Sequence, residues 1–263
     1  MSKIKIYQVD AFADKLFTGN PAAVCILEDW LSDELMQSIA AENNLAETAF
    51  VVNRGVNYEI RWFTPLVEVD LCGHATLASA FVLFTCLGYQ KTEIVFHSHR
   101  SGELKVFKQN EMLFLDFPTD TLKISTNFEQ IEACIGIQPV EIYKGKDDFI
   151  ALVAGENDVQ NLKPDFKEIS KLQSRGLIVT AKGNTVDFVS RVFAPQCGID
   201  EDPVTGSAHT SLIPLWSEKL GKTEMIAYQL SKRGGKLICE YKGDRCLIGG
   251  LAKLYLTGEL TTE

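Results

Sequence analysis

Two short segments that begin with glycine carry side chains suited to chemistry. Gly73 is followed by His74, and Gly206 is followed by Ser207, each at the head of a largely apolar stretch of helical length. A helix start offers unpaired N–H groups and a partial positive charge, and glycine lets a ligand approach the backbone. One such glycine would be explained by a loop entering a helix, but the matched pair favours a binding site for a small carboxylate.

Glu47 is the candidate general acid/base. It begins an apolar, strand-like run at residues 47–52. Apolar surroundings disfavour the ionised form of a carboxyl group, which suits a residue that takes up and returns a proton. A solvated charge at the end of a strand explains the same residue equally well, and both interpretations stay open.

Other polar residues are weaker candidates. Asp202 precedes a proline, which holds its backbone extended and lets its side chain point toward His74 and Ser207. A histidine like His74 alone is more often a satisfied core residue than a catalytic group. His97 and His99 share one face of a strand as metal ligands do, but no third ligand is near, so no metal is predicted.

The sequence repeats itself at about half its length. Residues 73–75 return as 206–208, residues 87–88 as 220–221, and residues 100–104 as 233–237, all with the same shift. A constant shift indicates duplication of one supersecondary unit. We therefore expect two halves, residues 1–120 and 121–263, with a cleft between them across which the two glycine segments face each other.

Each half is predicted to be a strand-rich unit that curls round a central helix, at residues 73–87 and 206–220. The first helix is apolar on nearly every side, so it should be buried by the sheet. Pro214 should kink or restart the second helix. Ser32, followed by two acids, is the predicted N-cap of an earlier helix. The position that matches Glu47 in the second half falls on Arg175 or a neighbour.

Composition narrows the class of protein. The 263 residues carry a net charge of −9, which argues against nucleic acid or an anionic membrane as partner. No apolar run has the length of a membrane span, and the N-terminus enters a strand pattern at once instead of a signal peptide. The seven cysteines are scattered and lack a C-x-x-C pair, which predicts a reducing, cytoplasmic location.

Several motifs resemble those of the PhzF (phenazine biosynthesis) family, and the likeness runs along the whole chain. They are Gly-Asn-Pro-Ala-Ala-Val at 19–24, Leu-Ala-Glu-Thr-Ala-Phe at 45–50, Phe-Thr-Pro at 63–65, Gly-His-Ala-Thr at 73–76, and the long motif at 198–209. The resemblance implies the diaminopimelate epimerase-like α/β fold. In that fold, two pseudo-symmetric halves each wrap a strongly curved, mostly antiparallel sheet or barrel round a central helix, with the active site between them.

The resemblance also implies a reaction. The characterised family member isomerises trans-2,3-dihydro-3-hydroxyanthranilic acid, needs no cofactor and works as a homodimer. Glu47 would then carry the proton, and His74, Asp202 and Ser207 would line the catalytic site. The substrate-binding residues implied in the same way are Asn20, Gly73, Thr205 and Gly206.

Two alternatives remain. An amino-acid epimerase of the wider family uses two cysteines, and Cys72 lies where the first would be, but the second position falls on Pro203. Such an enzyme would need Cys72 or Glu47 with another base, and a small buried residue is the simpler interpretation of Cys72. The other alternative is a binding protein without catalysis, because a fold does not fix a function.

Overall fold

The computed structural model describes residues 2–262, which form two compact units. The first unit comprises the chain up to Phe117 together with the segment from Gly249 onward, and the second is Pro118–Ile248. The predicted division placed residues 249–263 in the second half. The structure differs there because the final strand pairs antiparallel with the first strand of the chain, with Ala252 opposite Ala11 and Thr262 opposite Ser2.

The elements follow one another in a strand-rich order. The strands and helices are β1 (Ser2–Ala11), β2 (Asn20–Leu27), α1 (Asp33–Asn43), β3 (Glu47–Asn53), β4 (Tyr58–Phe63), β5 (Glu68–Val69), α2 (Gly73–Phe81), β6 (Glu93–Ser98), β7 (Gly102–Gln109), β8 (Met112–Pro118), β9 (Lys123–Ile124), α3 (Phe128–Ile135), β10 (Glu141–Lys144), β11 (Asp148–Leu152), α4 (Glu156–Asn161), α5 (Phe166–Ile169), β12 (Gly176–Lys182), β13 (Phe188–Ala194), β14 (Ile199–Asp202), α6 (His209–Leu220), β15 (Glu224–Gln229), β16 (Gly235–Tyr241), β17 (Arg245–Gly250) and β18 (Ala252–Thr262). A π-helical turn at Val82–Cys86 and a 3₁₀ turn at Pro195–Cys197 complete the set.

Strand pairing confirms the duplication. In the first unit β1–β2 is antiparallel, β2–β3 parallel, β3–β4 antiparallel, β4–β6 parallel and β6–β7 antiparallel. In the second unit β10–β11, β11–β12, β12–β13, β13–β15 and β15–β16 alternate in the same way. Each unit is therefore the predicted mostly antiparallel, strongly curved sheet, and it is not closed into a barrel.

Helix α2 is the core of the first unit, as its apolar sequence predicts. It packs against β1, β2, β3, β7 and β18, and every residue from Gly73 to Ala80 is buried. Its two buried hydroxyls are satisfied one turn back, since Thr76 Oγ1 donates to the carbonyl of Cys72 and Ser79 Oγ to that of Ala75. The α-helix gives way at Val82 to the π-helical turn, so the predicted helix at 73–87 is two elements.

The second central helix begins later than predicted. Residues 206–208 form tight turns in which the N–H of His209 donates to Gly206 O and that of Thr210 to Ser207 O, and the α-helix starts only at His209. The helix then continues through Pro214. Proline leaves the carbonyl four residues earlier, on Thr210, without its helical donor. The N–H of Asp120 donates to that oxygen at 3.1 Å, which removes the need for a break.

No helix in residues 2–262 is both long enough and apolar enough to span a membrane.

Gly19 fixes the start of β2, and its replacement gives a test of the fold. Its φ is +67°, and an added Cβ would lie 2.1 Å from the carbonyl oxygen of Ala11. Gly55 is the matched control, since its φ is +87° but a Cβ there meets nothing within 4 Å. We expect Gly55→Ala to lower the free energy of unfolding by about 1–2 kcal/mol, the cost of a left-handed backbone, and Gly19→Ala to cost clearly more. Urea denaturation of both variants measures the two free energies of unfolding. Equal decreases would show that the contact with Ala11 relaxes without an energetic cost.

Candidate functional site

Three polar side chains of the first unit converge at the edge where two parallel strands begin. Asn20 is the first residue of β2, Glu47 is the first residue of β3, and the parallel register places Ala22 opposite Glu47. Helix α2 packs across both strands and brings in His74, its second residue. The strand starts and the helix start therefore meet at one place, although the residues are far apart in sequence.

The imidazole of His74 is the centre of this cluster. Its Nε2 lies 3.2 Å from Glu47 Oε2. Its Nδ1 lies 3.2 Å from Asn20 Nδ2 and 3.5 Å from Cys72 Sγ. The ring thus contacts a carboxylate through Nε2, and an amide and a thiol through Nδ1. All four side chains belong to buried residues, Asn20 completely so.

The contact between Glu47 and His74 is close but not aligned as a hydrogen bond. Oε2 and Nε2 are within ion-pair distance, yet neither has a hydrogen-bond partner in the described part of the chain. Buried polar atoms are normally hydrogen-bonded. Two adjacent buried atoms without a hydrogen-bond partner therefore indicate a position where a ligand binds. The Glu47 side chain is 11% exposed, which leaves it within reach of a small molecule.

The pKa of His74 depends on burial and on two acidic neighbours, Cys72 and Glu47. Burial alone lowers the pKa of His74, but the neighbouring Cys72 and Glu47 raise it well above 6.5. Burial raises the pKa of the Cys72 thiol to about 11, so this group is uncharged at neutral pH. The carboxylate of Glu47 is then the negative charge that stabilises the imidazolium form of His74. The two groups of this pair, His74 Nε2 and Glu47 Oε2, lie 3.2 Å apart.

Asn20 and Cys72 are the other two neighbours of the His74 ring. The amide of Asn20, a predicted substrate-binding residue, lies against His74 and orients the ring. Cys72 is buried, as the interpretation of it as a small core residue predicts, but its sulfur also touches the ring. A thiol with a pKa near 11 is a poor base at neutral pH.

Glu47, Cys72 and His74 also form the one group with metal-ligand spacing among the described residues, since their ligand atoms lie within 4.8 Å of one another. The thiol lies beside Nδ1 of the ring and the carboxylate beside Nε2. His97 and His99, for which no metal is predicted, lie beside different glutamates, Glu103 and Glu68.

The second unit holds the remaining predicted residues in two hydrogen-bonded groups. In the first group, Asp202 Oδ2 accepts from the Thr205 hydroxyl at 2.5 Å. Gln229 ties the segment down, since its amide oxygen accepts from the Thr205 N–H and its amide nitrogen donates to the Asp202 carbonyl. These bonds fix the turn that leads into α6.

The second group contains Ser207, which lies next to Gly206 at the same turn. Arg175 donates from Nη1 to Ser207 Oγ at 2.9 Å, and its Nε and Nη2 grip the carboxylate of Asp148. Gly206 is buried and lies in the tight turn before α6, so the predicted backbone donors there belong to a turn instead of an α-helix. No sequence pattern points to Asp148 or Gln229 as functional residues. The repeat points to Arg175, but only as the counterpart of Glu47.

Comparison with known proteins identifies the family of this chain. The family model described as "Phenazine biosynthesis-like protein" (PhzC-PhzF) matches residues 9–259. A protein of Pseudomonas aeruginosa named an uncharacterized isomerase is 49% identical over 258 residues, which cover 98% of this chain and 99% of that protein. The chain belongs to the PhzF family.

Structures agree with the family assignment. The crystal structure of a PhzF family protein from Enterococcus faecalis is 48% identical and superimposes with a TM-score of 0.96, covering 99% of this chain and 100% of that one. A hydroxyproline epimerase from Agrobacterium vitis, 8% identical, superimposes with a TM-score of 0.61 over 98% of this chain and 92% of that one. The second likeness shows that the PhzF family shares its fold with epimerases, as the sequence resemblance implied.

The two buried histidines of this PhzF protein should titrate in opposite directions. We expect the imidazole of His74 to be protonated at pH 7, whereas burial lowers the pKa of His209 to about 4 and keeps that ring neutral. Glu47→Gln removes the stabilising charge and should lower the pKa of His74 while leaving His209 unchanged. Side-chain ¹⁵N NMR across a pH series measures both, and a His74 signal that Glu47→Gln does not move would disprove the coupling.

These two pKa shifts make the free energy of unfolding depend on pH, and they do so in opposite directions. His74 has a raised pKa in the folded state, so its contribution is complete below about pH 6.5 and is lost as the pH rises through the folded value. His209 has a lowered pKa, so its contribution is present above about pH 6.5 and is lost as the pH falls toward 4.

Proposed function

We propose that this PhzF-family protein is an isomerase that moves a proton on a small, cyclic, unsaturated carboxylate, with Glu47 as the acid/base and without a cofactor. The observation that carries the proposal is the buried Glu47 carboxylate, which lies 3.2 Å from the His74 ring without an aligned hydrogen bond. The names of relatives support the reaction class, since two bacterial relatives are named isomerases.

The chemistry needs one carboxylate. Glu47 in its ionised form takes a proton from a ring carbon and becomes a carboxylic acid, while the electron pair moves into the conjugated system of the substrate. The acid form of Glu47, whose side chain is 11% exposed, exchanges its proton with water and then delivers a proton to another carbon on the same face, and the double bonds shift. No electrons are gained or lost, so the step requires no redox partner. The imidazolium of His74 stabilises the ionised carboxylate of Glu47 before the first transfer and after the second.

The epimerase alternative needs a second base, and Cys72 is unsuited to that role. Its pKa of about 11 leaves almost no thiolate at neutral pH. On the basis of the family resemblance, we keep Asp202 and Ser207 as predicted catalytic residues beside Glu47 and His74. The predicted substrate-binding residues remain Asn20, Gly73, Thr205 and Gly206. A homodimer in the cytoplasm is likewise a prediction, which size-exclusion chromatography and cell fractionation test.

Deuterium wash-in tests the proposal directly. The wild-type protein and Glu47→Gln are incubated in heavy water with dihydro-hydroxyanthranilate, diaminopimelate and other small cyclic and amino carboxylates, and mass spectrometry follows each compound. We expect uptake of one deuteron with a shifted double bond, slowed about 10²–10⁴-fold in Glu47→Gln, the range for loss of a general acid/base. Equal rates in both proteins would exclude Glu47 as the proton carrier.

Cys72→Ala is the matched control, because it removes a different buried neighbour of the same histidine. We expect this variant to retain the wild-type rate within about tenfold, because an uncharged thiol takes no part in proton transfer. A loss as large as that of Glu47→Gln, or uptake at an α-carbon with inversion, would instead favour the thiol-dependent epimerase. Binding of a compound without any uptake would favour a protein that binds its ligand and does not transform it.

A further inference from the structure

The second unit places a different charged group where the first unit has its acid/base. Strand β11 pairs parallel with β12 as β2 does with β3, and Gly176 at the start of β12 occupies the position of Glu47. The residue just before it is Arg175, and Ser207 stands where the repeated segment of the first unit has His74. Duplication has therefore given one unit a titratable pair and the other a permanent ion pair.

Arg175 is held rigidly from one side. Its guanidinium uses Nε and Nη2 on the carboxylate of Asp148, a residue that is 4% exposed, and its backbone N–H donates to the Asp147 carbonyl at 2.7 Å. Bidentate pairs of this kind fix the plane of the guanidinium as well as its position. Burial lowers the pKa of Arg175 and the bond to Asp148 raises it by more, so the group stays charged at every working pH.

Hydrogen-bond donors remain on the other side. A guanidinium has five N–H groups. Among the described residues, the guanidinium of Arg175 donates three hydrogen bonds, two to Asp148 and one to Ser207. The hydroxyl of Ser207 accepts the third bond, so its own hydrogen must point away from Arg175. No acceptor for that hydrogen lies within the described part of the chain. The guanidinium is 34% exposed and Ser207 is half-buried, so both can meet a small ligand.

An anionic oxygen is the partner that this arrangement suits. A carboxylate has only acceptor atoms, and it can take the Ser207 hydroxyl hydrogen and a remaining guanidinium N–H together. Asp148 already balances the charge of Arg175. Carboxylate binding would therefore depend on the orientation of the hydrogen-bond donors and not on a net positive charge. We propose that Arg175 and Ser207 form a carboxylate-binding subsite in which Arg175, fixed by Asp148, positions the Ser207 hydroxyl. The ligand class rests on the proposed function, in which the substrate is a small carboxylate.

Arg191 forms an ion pair with a purely structural role, and it differs from Arg175 in the acceptors that its remaining N–H groups meet. Arg191 also grips a carboxylate with Nε and Nη2, that of Glu201, but its Nη1 donates to the backbone carbonyls of Val159 and Leu162. Arg191 is thus occupied by its own chain, whereas Arg175 reaches a hydroxyl that has a hydrogen left to give. Arg191→Lys is therefore the matched control for Arg175→Lys.

Isothermal titration calorimetry with two acids and their amides tests the subsite. The probes are anthranilate with anthranilamide, and L-proline with L-prolinamide; the proteins are wild type, Arg175→Lys, Ser207→Ala and Arg191→Lys. We expect wild type to bind at least one acid more tightly than its amide. Arg175→Lys and Ser207→Ala should each weaken acid binding about 10- to 100-fold, the value of a hydrogen bond to a charged group, and leave amide binding unchanged. Arg191→Lys should leave both unchanged, and circular dichroism confirms that each variant is folded.

Three results would overturn the subsite: wild type that binds neither acid, wild type that binds acid and amide alike, or acid binding that both variants retain in full. The outcome is separable from the isomerase proposal. Glu47→Gln should keep acid binding while losing deuterium uptake. If acid binding depends on Arg175 but the protein takes up no deuterium with any compound, the isomerase proposal is wrong and the subsite proposal stands. If the protein takes up deuterium but Arg175→Lys binds the acids with unaltered affinity, the subsite proposal is wrong and the isomerase proposal stands.

Discussion

The burial of helix α2 against the first three strands is the constraint on which the candidate site depends. A helix without a polar face must be covered on all sides, and the sheet of the first unit provides that cover. The start of the helix is thereby held against the starts of β2 and β3. Asn20 and His74, separated by 54 positions, come within 3.2 Å, and Glu47 joins them from the neighbouring strand. The low dielectric of this position makes the charge of one residue count strongly for the next.

Duplication explains why two such places exist, and divergence explains why they differ. The same strand alternation builds both units, but the residues at the start of the second parallel strand have changed. In the first unit a carboxylate faces an imidazole, a pair that can exchange a proton. In the second unit an arginine faces an aspartate, a pair that stays charged and can only orient and bind. Under the two proposals, the first unit carries the acid/base and the second a carboxylate-binding subsite.

Local patterns were sufficient for much of this. The constant shift between repeated segments predicted the duplication, the unbroken apolar run predicted the buried helix, and Ser32 caps α1 as its sequence suggests, accepting from the N–H of Leu35. The family motifs then identified Glu47 and His74, which the structure brings together. Boundaries were less accurate, because the turn at residues 206–208 uses shorter-range hydrogen bonds and the oxygen freed by Pro214 finds its donor on Asp120.

The sequence by itself determined the repeated unit, its central helices and the types of residue at the site, because these follow from spacing along the chain. Tertiary structure alone decided which side chains meet. The amide of Asn20 on His74, the grip of Asp148 on Arg175 and the bond from Arg175 to Ser207 join residues 54, 27 and 32 positions apart. The return of β18 to β1 is decided in the same way. Such contacts depend on strand register and helix packing, which one sequence does not encode in any local pattern.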